Sequence, residues 1–254
     1  MTKIIMHGCC GKMGKVVCQI VKEDSSCEIA AGIDPFGESP DFPVFKTPEE
    51  CDVDADVIID FSTASAVPAL LDYSVKKQIP VILCTTGLSD ELTNKLHEAS
   101  NKVAVLKSAN MSVGVNLLFS LVQKAALALV DSGFDIEIVE KHHNQKIDAP
   151  SGTALAIADA VNEVMDNKYD YVYDRSQTRE KRTKGEIGIH AVRGGNIVGE
   201  HEVIFAGKDE IIEINHRAMS KEIFAVGAVK AAKYLAGKPA GFYTMKDVLK
   251  DVLQ

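Results

Sequence analysis

Between Glu140 and Ala154 the chain places His142 beside His143, Lys146 three residues later, and Ser151-Gly152-Thr153 at the head of an alanine-rich apolar run. Histidine titrates nearest neutral pH, and lysine adds a positive charge. A serine just ahead of a helical run is a capping signal. The first amides of a helix lack intrahelical partners and attract anions. The segment therefore predicts proton transfer to or from a small anion, most simply a carboxylate. Each part also has a plain structural reading, as surface histidines and an ordinary helix cap.

A second set of residues could hold a nucleotide. Lys3–Gly8 is a short apolar run ending in glycine, as a buried parallel strand does. Gly8-Cys9-Cys10-Gly11-Lys12-Met13-Gly14 follows, and then a helical run from Lys15 to Val21. The spacing is G-x-x-G-x-x-G rather than G-x-G-x-x-G. It can serve the same ends, a tight turn and close approach of backbone to a pyrophosphate. Alone it is a weak signal. A second strand, Glu28–Asp34, ends in an acid 20 residues after Gly14, where a dinucleotide fold places the carboxylate that accepts from ribose hydroxyls.

The elements that must position these residues are strands at 57–61, 81–84 and 103–106, alternating with helical segments at 66–78 and 89–100. Such alternation predicts a parallel sheet covered on both faces. Ligands bind such sheets at the strand C-termini. There the chain carries Ser62-Thr63, then Cys84-Thr85-Thr86-Gly87, then Ser108-Ala109-Asn110-Met111, mostly small polar residues suited to ribose or nicotinamide.

Bulk properties narrow the class. The 254 residues, 46% hydrophobic and 25% charged, fit one large or two modest soluble domains. A net charge of −8 argues against nucleic acid, which needs clustered Lys and Arg. No apolar run is expected to reach the roughly 20 residues of a membrane span. The N-terminal stretch is too short and lacks a cleavage site for a signal peptide. Six cysteines, at 9, 10, 18, 27, 51 and 84, show no Cys-x-x-Cys or Cys/His spacing, so no metal site is expected. Reduced thiols in the cytoplasm are the simplest account, with redox sensing by Cys9 or Cys10 as the alternative.

At this point the chain resembles the 4-hydroxy-tetrahydrodipicolinate (dihydrodipicolinate) reductase family of the diaminopimelate route to lysine. The resemblance rests on the Gly8–Gly14 turn, Asp60-Phe61-Ser62, Thr85-Thr86-Gly87, the stretch Ser108–Asn116, and above all His142–Thr153. Arg193–His201 and Phe224–Ala228 complete it. It implies an α/β fold, with a Rossmann-type parallel-sheet nucleotide domain (1–112 and 220–254). Inserted in it is an α+β substrate-binding and oligomerisation domain (113–219) with a mixed sheet. The run Val113–Val130 reads as a buried connecting helix. The helix Phe224–Leu235 and the tail Met245–Leu253 return to the first domain. Extended segments are expected at 134–140, 187–193, 197–206 and 210–216, with a helix near 152–166. The resemblance further implies a homotetramer and a cyclic dicarboxylate substrate.

By motif position, His142 would be the proton donor/acceptor, Lys146 the proton donor, and His143, Gly152 and Thr153 substrate ligands. Arg193 could add a planar donor fork to a carboxylate. Gly8, Cys9, Cys10, Gly11, Lys12, Met13, Asp34, Cys84, Thr85, Thr86, Ser108, Ala109, Asn110 and Met111 would bind the cofactor, NADH or NADPH. No Lys or Arg follows Asp34, only Pro35-Phe36-Gly37, which favours NADH; Lys12 keeps NADPH open. Cys84 stands where the family has glycine. The 174–184 segment lacks the family's glycines and reads as a solvated charge run, with a mobile flap as the alternative. Two other readings stay open: a different nicotinamide-dependent two-domain dehydrogenase, and a non-enzymatic dinucleotide or redox sensor.

Overall fold

The computed structural model describes residues 1–250, which divide into two compact units. One holds 1–113 and 222–250, the other 114–221; the end of the expected tail Met245–Leu253 lies outside the described residues.

The first unit begins with β1 (Thr2–His7), α1 (Lys12–Lys22), β2 (Cys27–Ile33), the short β3 (Val44–Phe45) and β4 (Val57–Asp60). It continues through α2 (Val67–Lys77), β5 (Val81–Leu83), α3 (Asp90–Ser100) and β6 (Ala104–Leu106). Local chemistry sets the ends of these helices. Pro68 occupies the first turn of α2, and left-handed Gln78 closes it. The Ser89 hydroxyl accepts from the Leu92 amide to start α3, with Asp90 and Glu91 favourably placed against the helix dipole. Helix α1 starts at Lys12, earlier than the glycine pattern alone indicates, so Met13 and Gly14 are already helical.

The second unit contains α4 (Val113–Leu129), β7 (Asp135–His142), α5 (Gly152–Val164), β8 (Asp170–Val172), β9 (Glu186–Arg193), β10 (Gly199–Ala206) and β11 (Ile211–Ala218). The chain then rejoins the first unit as α6 (Glu222–Leu235), β12 (Gly241–Tyr243) and α7 (Met245–Val248).

The first unit's sheet runs β12-β6-β5-β4-β1-β2-β3, every pairing parallel. The order reverses between β1 and β4, where His7 stands level with Asp60. That is the switch point at which such sheets take ligands. Ile4, Ile5, Ile58, Ile59, Ile82 and Leu83 are fully buried, as strands covered on both faces require. Helix α6 packs on α1 and on β4 and β5. It crosses the loop after β6 so closely that a Cβ on Gly227 would lie 1.7 Å from the Met111 carbonyl oxygen.

The second unit's sheet, β11-β10-β7-β9-β8, is mixed: β10 is antiparallel to β11 and β7, and β9 is parallel to β7 and β8. Its core joins Ile136, Ile138 and Phe205 to Val122 of α4 and Ile157 of α5.

Three expectations need correction here. The run Val113–Ser132 is, by length and composition, long and apolar enough to cross a membrane. It acts instead as a core helix on one face, with Leu118, Val122 and Ala126 buried. Its other face is not buried, since Leu117, Leu121 and Leu127 are exposed. The 174–184 segment is not simply a solvated charge run. Arg182 donates to Glu137 (2.9 Å), Asp135 (2.7 Å) and the Ile136 carbonyl (3.1 Å), and Arg175 pairs with Glu186. The short strands β3, β8 and β12 carry too few residues to leave an alternating pattern.

Candidate active site

In the second unit, β7 alternates inward and outward side chains, with Ile136, Ile138, Glu140 and His142 facing in. An aliphatic strand face thus ends in an acid and a histidine. Glu140 is fully buried and four nitrogens from three residues converge on it. Oε2 lies 2.6 Å from His142 Nδ1 and accepts from Arg193 at 2.8 Å. Oε1 accepts from Arg193 at 2.7 Å and from the Ser151 amide at 2.9 Å. Burial pushes the Glu140 carboxyl up, but the Arg193 and His142 hydrogen bonds outweigh it and hold the group below the usual carboxylate range.

An ionised Glu140 accepts a hydrogen bond from His142 Nδ1–H, which leaves Nε2 as the exchanging nitrogen. The Nε2 side is kept open by Gly199, where a Cβ would stand 3.0 Å from that nitrogen. The His142 ring meets the His201 ring edge-on at 5.2 Å between centroids. Burial above all, then the charge of His142, lowers the His201 pKa to about 4, so His201 is neutral. Its Nε2 lies 3.3 Å from the Ser151 hydroxyl.

The 143–150 loop carries Lys146, whose amide donates to the His143 carbonyl. Lys146 Nζ lies 2.8 Å from Asp148 Oδ1. Ser151 caps α5 by accepting the Ala154 amide at 3.2 Å. Hydrogen bonding to Lys146 first, and to the Gly152 amide among others, lowers the Asp148 pKa. A carboxylate already sits between the ammonium and the helix start. The arrangement combines an oriented imidazole, an ammonium and an anion-attracting helix N-terminus, which suits delivery of a proton to a bound carboxylate.

In the first unit, the glycine turn is a backbone cradle. Gly8 has φ +82°, and a Cβ there would meet the Phe61 carbonyl oxygen at 2.7 Å; a Cβ on Gly14 would meet the Gly8 carbonyl oxygen at 2.1 Å. The N-cap, Gly11, has no capping side chain, and no acid occupies the first turn of α1. This fits the pyrophosphate of a dinucleotide. Asp34, buried at the end of β2, accepts from the Cys10 amide (3.0 Å) and the Phe36 amide (3.0 Å).

At the switch point His7 Nδ1 lies 2.8 Å from Asp60 Oδ1, and the Thr85 hydroxyl donates to Asp60 Oδ2 at 2.6 Å. Burial raises the Asp60 carboxyl, but hydrogen bonds from His7, Ser62 and Thr85 hold it below the usual range. Lys107 Nζ donates to the Thr85 carbonyl at 2.6 Å, and burial lowers its pKa. Cys84 has its thiol pushed well up, by burial and then by Asp60, so it is a neutral thiol. Ser108 and Asn110 shape the loop after β6: the Ser108 hydroxyl accepts from the Met245 amide at 3.4 Å, and Asn110 Oδ1 accepts from the Ser112 amide at 2.8 Å.

Two family models divide the chain between them. Dihydrodipicolinate reductase, N-terminus, matches residues 2–111, and dihydrodipicolinate reductase, C-terminus, matches 114–249. The chain belongs to the dihydrodipicolinate reductase family. Among its relatives, the 4-hydroxy-tetrahydrodipicolinate reductase of Caldanaerobacter subterraneus is 54% identical over 98% of this chain and 99% of its own length. That of Clostridium novyi is 52% identical, again over 98% and 99%. A solved dipicolinate-bound dihydrodipicolinate reductase from Paenisporosarcina sp. TG-14 has the same fold, with a TM-score of 0.80 at 23% identity over 96% of this chain and 97% of its own.

The fold expected from the sequence, a Rossmann-type parallel sheet with an inserted mixed-sheet domain, is the fold found. His142, His143, Lys146, Gly152 and Thr153 fall within one unit, along β7, the following loop and the start of α5. Gly8 to Met13, Asp34, Cys84 to Thr86 and Ser108 to Met111 fall in the other, in loops after parallel strands and, for Lys12 and Met13, in the first turn of α1. Arg193 is placed differently from the expectation of a substrate ligand, because both its terminal nitrogens bind Glu140 and one also reaches the Asp148 carbonyl. Sequence reasoning missed Glu140, although an acid two residues before His142 shares its strand face. It also missed the His7–Asp60 pair, which only the pairing of β1 with β4 brings together.

Proposed function

We infer that the chain catalyses NAD(P)H-dependent reduction of 4-hydroxy-tetrahydrodipicolinate to tetrahydrodipicolinate in the diaminopimelate route to lysine. The observation that carries this reading is the Glu140–His142 pair beside the Ser151-capped start of α5, in a chain 54% identical to a reductase of that name. The reading replaces that of a sensor without turnover or of another two-domain dehydrogenase.

A nicotinamide cofactor bound in the first unit would supply hydride to the ring carbon. The chain supplies the proton that the ring nitrogen then needs. His142 is the donor/acceptor through Nε2, with Glu140 fixing its tautomer, and Lys146 delivers or relays the proton. Positioned acids of this kind contribute typically about 10²–10⁴ in rate. His143 and the Gly152 and Thr153 amides bind a substrate carboxylate. Arg193 holds Glu140.

The Gly8–Gly14 turn and the N-terminus of α1 receive the pyrophosphate through Cys9, Cys10, Gly11, Lys12 and Met13. Asp34 takes the adenosine ribose. Cys84, Thr85, Thr86 and Ser108 to Met111 line the nicotinamide end. NADH is favoured over NADPH, because Asp34 meets a ribose diol and no cationic side chain follows it. Residues 1–112 and 220–254 form the dinucleotide domain and 113–219 the substrate domain. The exposed Ile211 and Ile212 of β11 support assembly through that sheet into a homotetramer, and six free thiols support a cytoplasmic setting. A coupled assay supplying fresh synthase product tests the reading: oxidation of NADH or NADPH must depend on that product. Dinucleotide binding without turnover would reject it.

A further inference from the structure

The glycine turn carries two thiols beside the backbone amides offered to a dinucleotide. Cys9 and Cys10 are consecutive, yet their sulfurs converge, with Sγ···Sγ at 3.7 Å. Two thiolates about 2.3 Å from one tetrahedral zinc-class ion stand about 3.8 Å apart, so the pair already has the bite of a chelate. One carboxylate oxygen of Asp34 completes a trio of ligand atoms, all within 4.8 Å of one another. No metal spacing is legible in the sequence, because the third ligand comes from the end of β2.

The surroundings seat the thiols. A Cβ on Gly32 would lie 2.5 Å from Cys9 Sγ, and one on Gly37 would lie 2.2 Å from Cys10 Sγ. Glycine at both positions leaves the volume that the sulfurs fill. Asp34 is buried and its carboxylate is fixed by two backbone amides, so the oxygen ligand of the trio is held in place by the backbone. Both cysteines also border a cavity of about 560 Å³, which gives an ion an approach.

We propose that Cys9, Cys10 and Asp34 form a site for a thiophilic divalent cation of the zinc class, and that a cation held there excludes the dinucleotide. Two sulfurs and one oxygen suit a soft or borderline ion rather than magnesium or calcium. Three protein ligands leave a fourth position for water, as in exchangeable zinc sites. On binding, each thiol gives its proton to solvent and both sulfurs become ligands. The exclusion follows because Asp34 cannot coordinate the ion and accept from ribose hydroxyls with the same oxygen. That half rests on the dinucleotide reading given above.

The test uses full-length, reduced, metal-free protein titrated with Cd²⁺ and followed by its thiolate charge-transfer absorption. The expected result is one tightly bound Cd²⁺ per chain. The band should vanish in Cys9→Ser/Cys10→Ser, weaken at least about tenfold in affinity in Asp34→Asn, and persist in Cys18→Ser and Cys27→Ser. Saturating NADH should release the ion to a chelating dye. A band that survives the double serine variant, or no stoichiometric binding at all, overturns the site. Cd²⁺ that stays bound under saturating NADH overturns the exclusion. NADH affinity measured in cation-free buffer separates the two readings. If Asp34→Asn leaves it unchanged, the ribose role of Asp34 and the exclusion both fail, while the cation titration is judged without any dinucleotide.

Discussion

Glu140 Oε2 lies 2.6 Å from His142 Nδ1, and the two side chains stand two residues apart on the inward face of β7. Glu140 also receives both terminal nitrogens of Arg193 and the Ser151 amide. One buried carboxylate thus ties the histidine to the start of α5. Glu140→Gln keeps the size but removes the charge that fixes the tautomer. We expect kcat to fall by about tenfold to a hundredfold, less than the roughly 10²–10⁴ of a positioned acid or base, because the imidazole itself remains. KM should move much less, and that split separates positioning from a general loss of fold. Arg193→Lys, which replaces a fork by a point charge, should give the same pattern more weakly. An unchanged kcat in Glu140→Gln would remove Glu140 from the catalytic arrangement.

His142→Ala and Lys146→Ala should each lower turnover by about 10²-fold or more through lost proton delivery. His143→Ala should instead raise KM. Steady-state kinetics on fresh substrate decides. Near wild-type kcat in either of the first two variants takes that residue out of the mechanism.

On the proposed reading Asp148 competes with the substrate, since its carboxylate holds Lys146 Nζ at 2.8 Å and draws on the Gly152 amide. A dicarboxylate ligand must share those donors. Pyridine-2,6-dicarboxylate, a flat mimic of the ring, should inhibit competitively, and Asp148→Asn should tighten its binding several-fold by removing a like charge. Calorimetry on the NADH-loaded enzyme reads both. Weaker binding in Asp148→Asn would mean that Asp148 orients Lys146 rather than competes with the ligand.

Acid should weaken the second unit before most carboxylates titrate. His201 is 5% exposed, and burial lowers its pKa to about 4. Below a pH of about 6.5 an unfolded histidine takes up a proton that the folded His201 refuses. Stability therefore falls as pH drops from there towards 4, by on the order of 3 kcal/mol in all. Urea midpoints measured across that interval should show the slope in the wild type and lose most of it in His201→Gln. Equal slopes in both would place the acid sensitivity elsewhere.

What was legible in the sequence follows the range of each signal. Strands β1, β4 and β5 each centre on a short apolar run, and α3 and α5 are capped by serines, so their positions are readable within a residue or two. His142, Lys146 and Ser151 lie within one short stretch, and their spacing could be read directly. Glu140 was visible, but its partner Arg193 lies 53 residues away, and only the parallel pairing of β7 with β9 sets His142 level with Arg193. The same holds for His7 and Asp60. Pair partners made by sheet register leave no local pattern, so the sequence carries no sign that Glu140 is the partner of Arg193.

Asp34 is buried with both carboxylate oxygens accepting from backbone amides, of Cys10 and Phe36. It is therefore fixed at the end of β2, where a ribose diol can donate to it. A 2′-phosphate would bring like charge beside it, which is unfavourable where water is partly excluded. Phe36 is 94% exposed and Pro35 is exposed, so neither offers a cation, and an arginine at position 35 has room to extend. Charge-assisted hydrogen bonds contribute about 1.5–3 kcal/mol, or about tenfold to a hundredfold in a ratio of specificity constants. The wild type should favour NADH, and Pro35→Arg should move the NADPH to NADH ratio of kcat/KM upward by about that factor. Asp34→Asn should shift it the same way by removing the repulsion. A wild type that strongly prefers NADPH, or a ratio that neither substitution moves, would show that Asp34 does not select the cofactor.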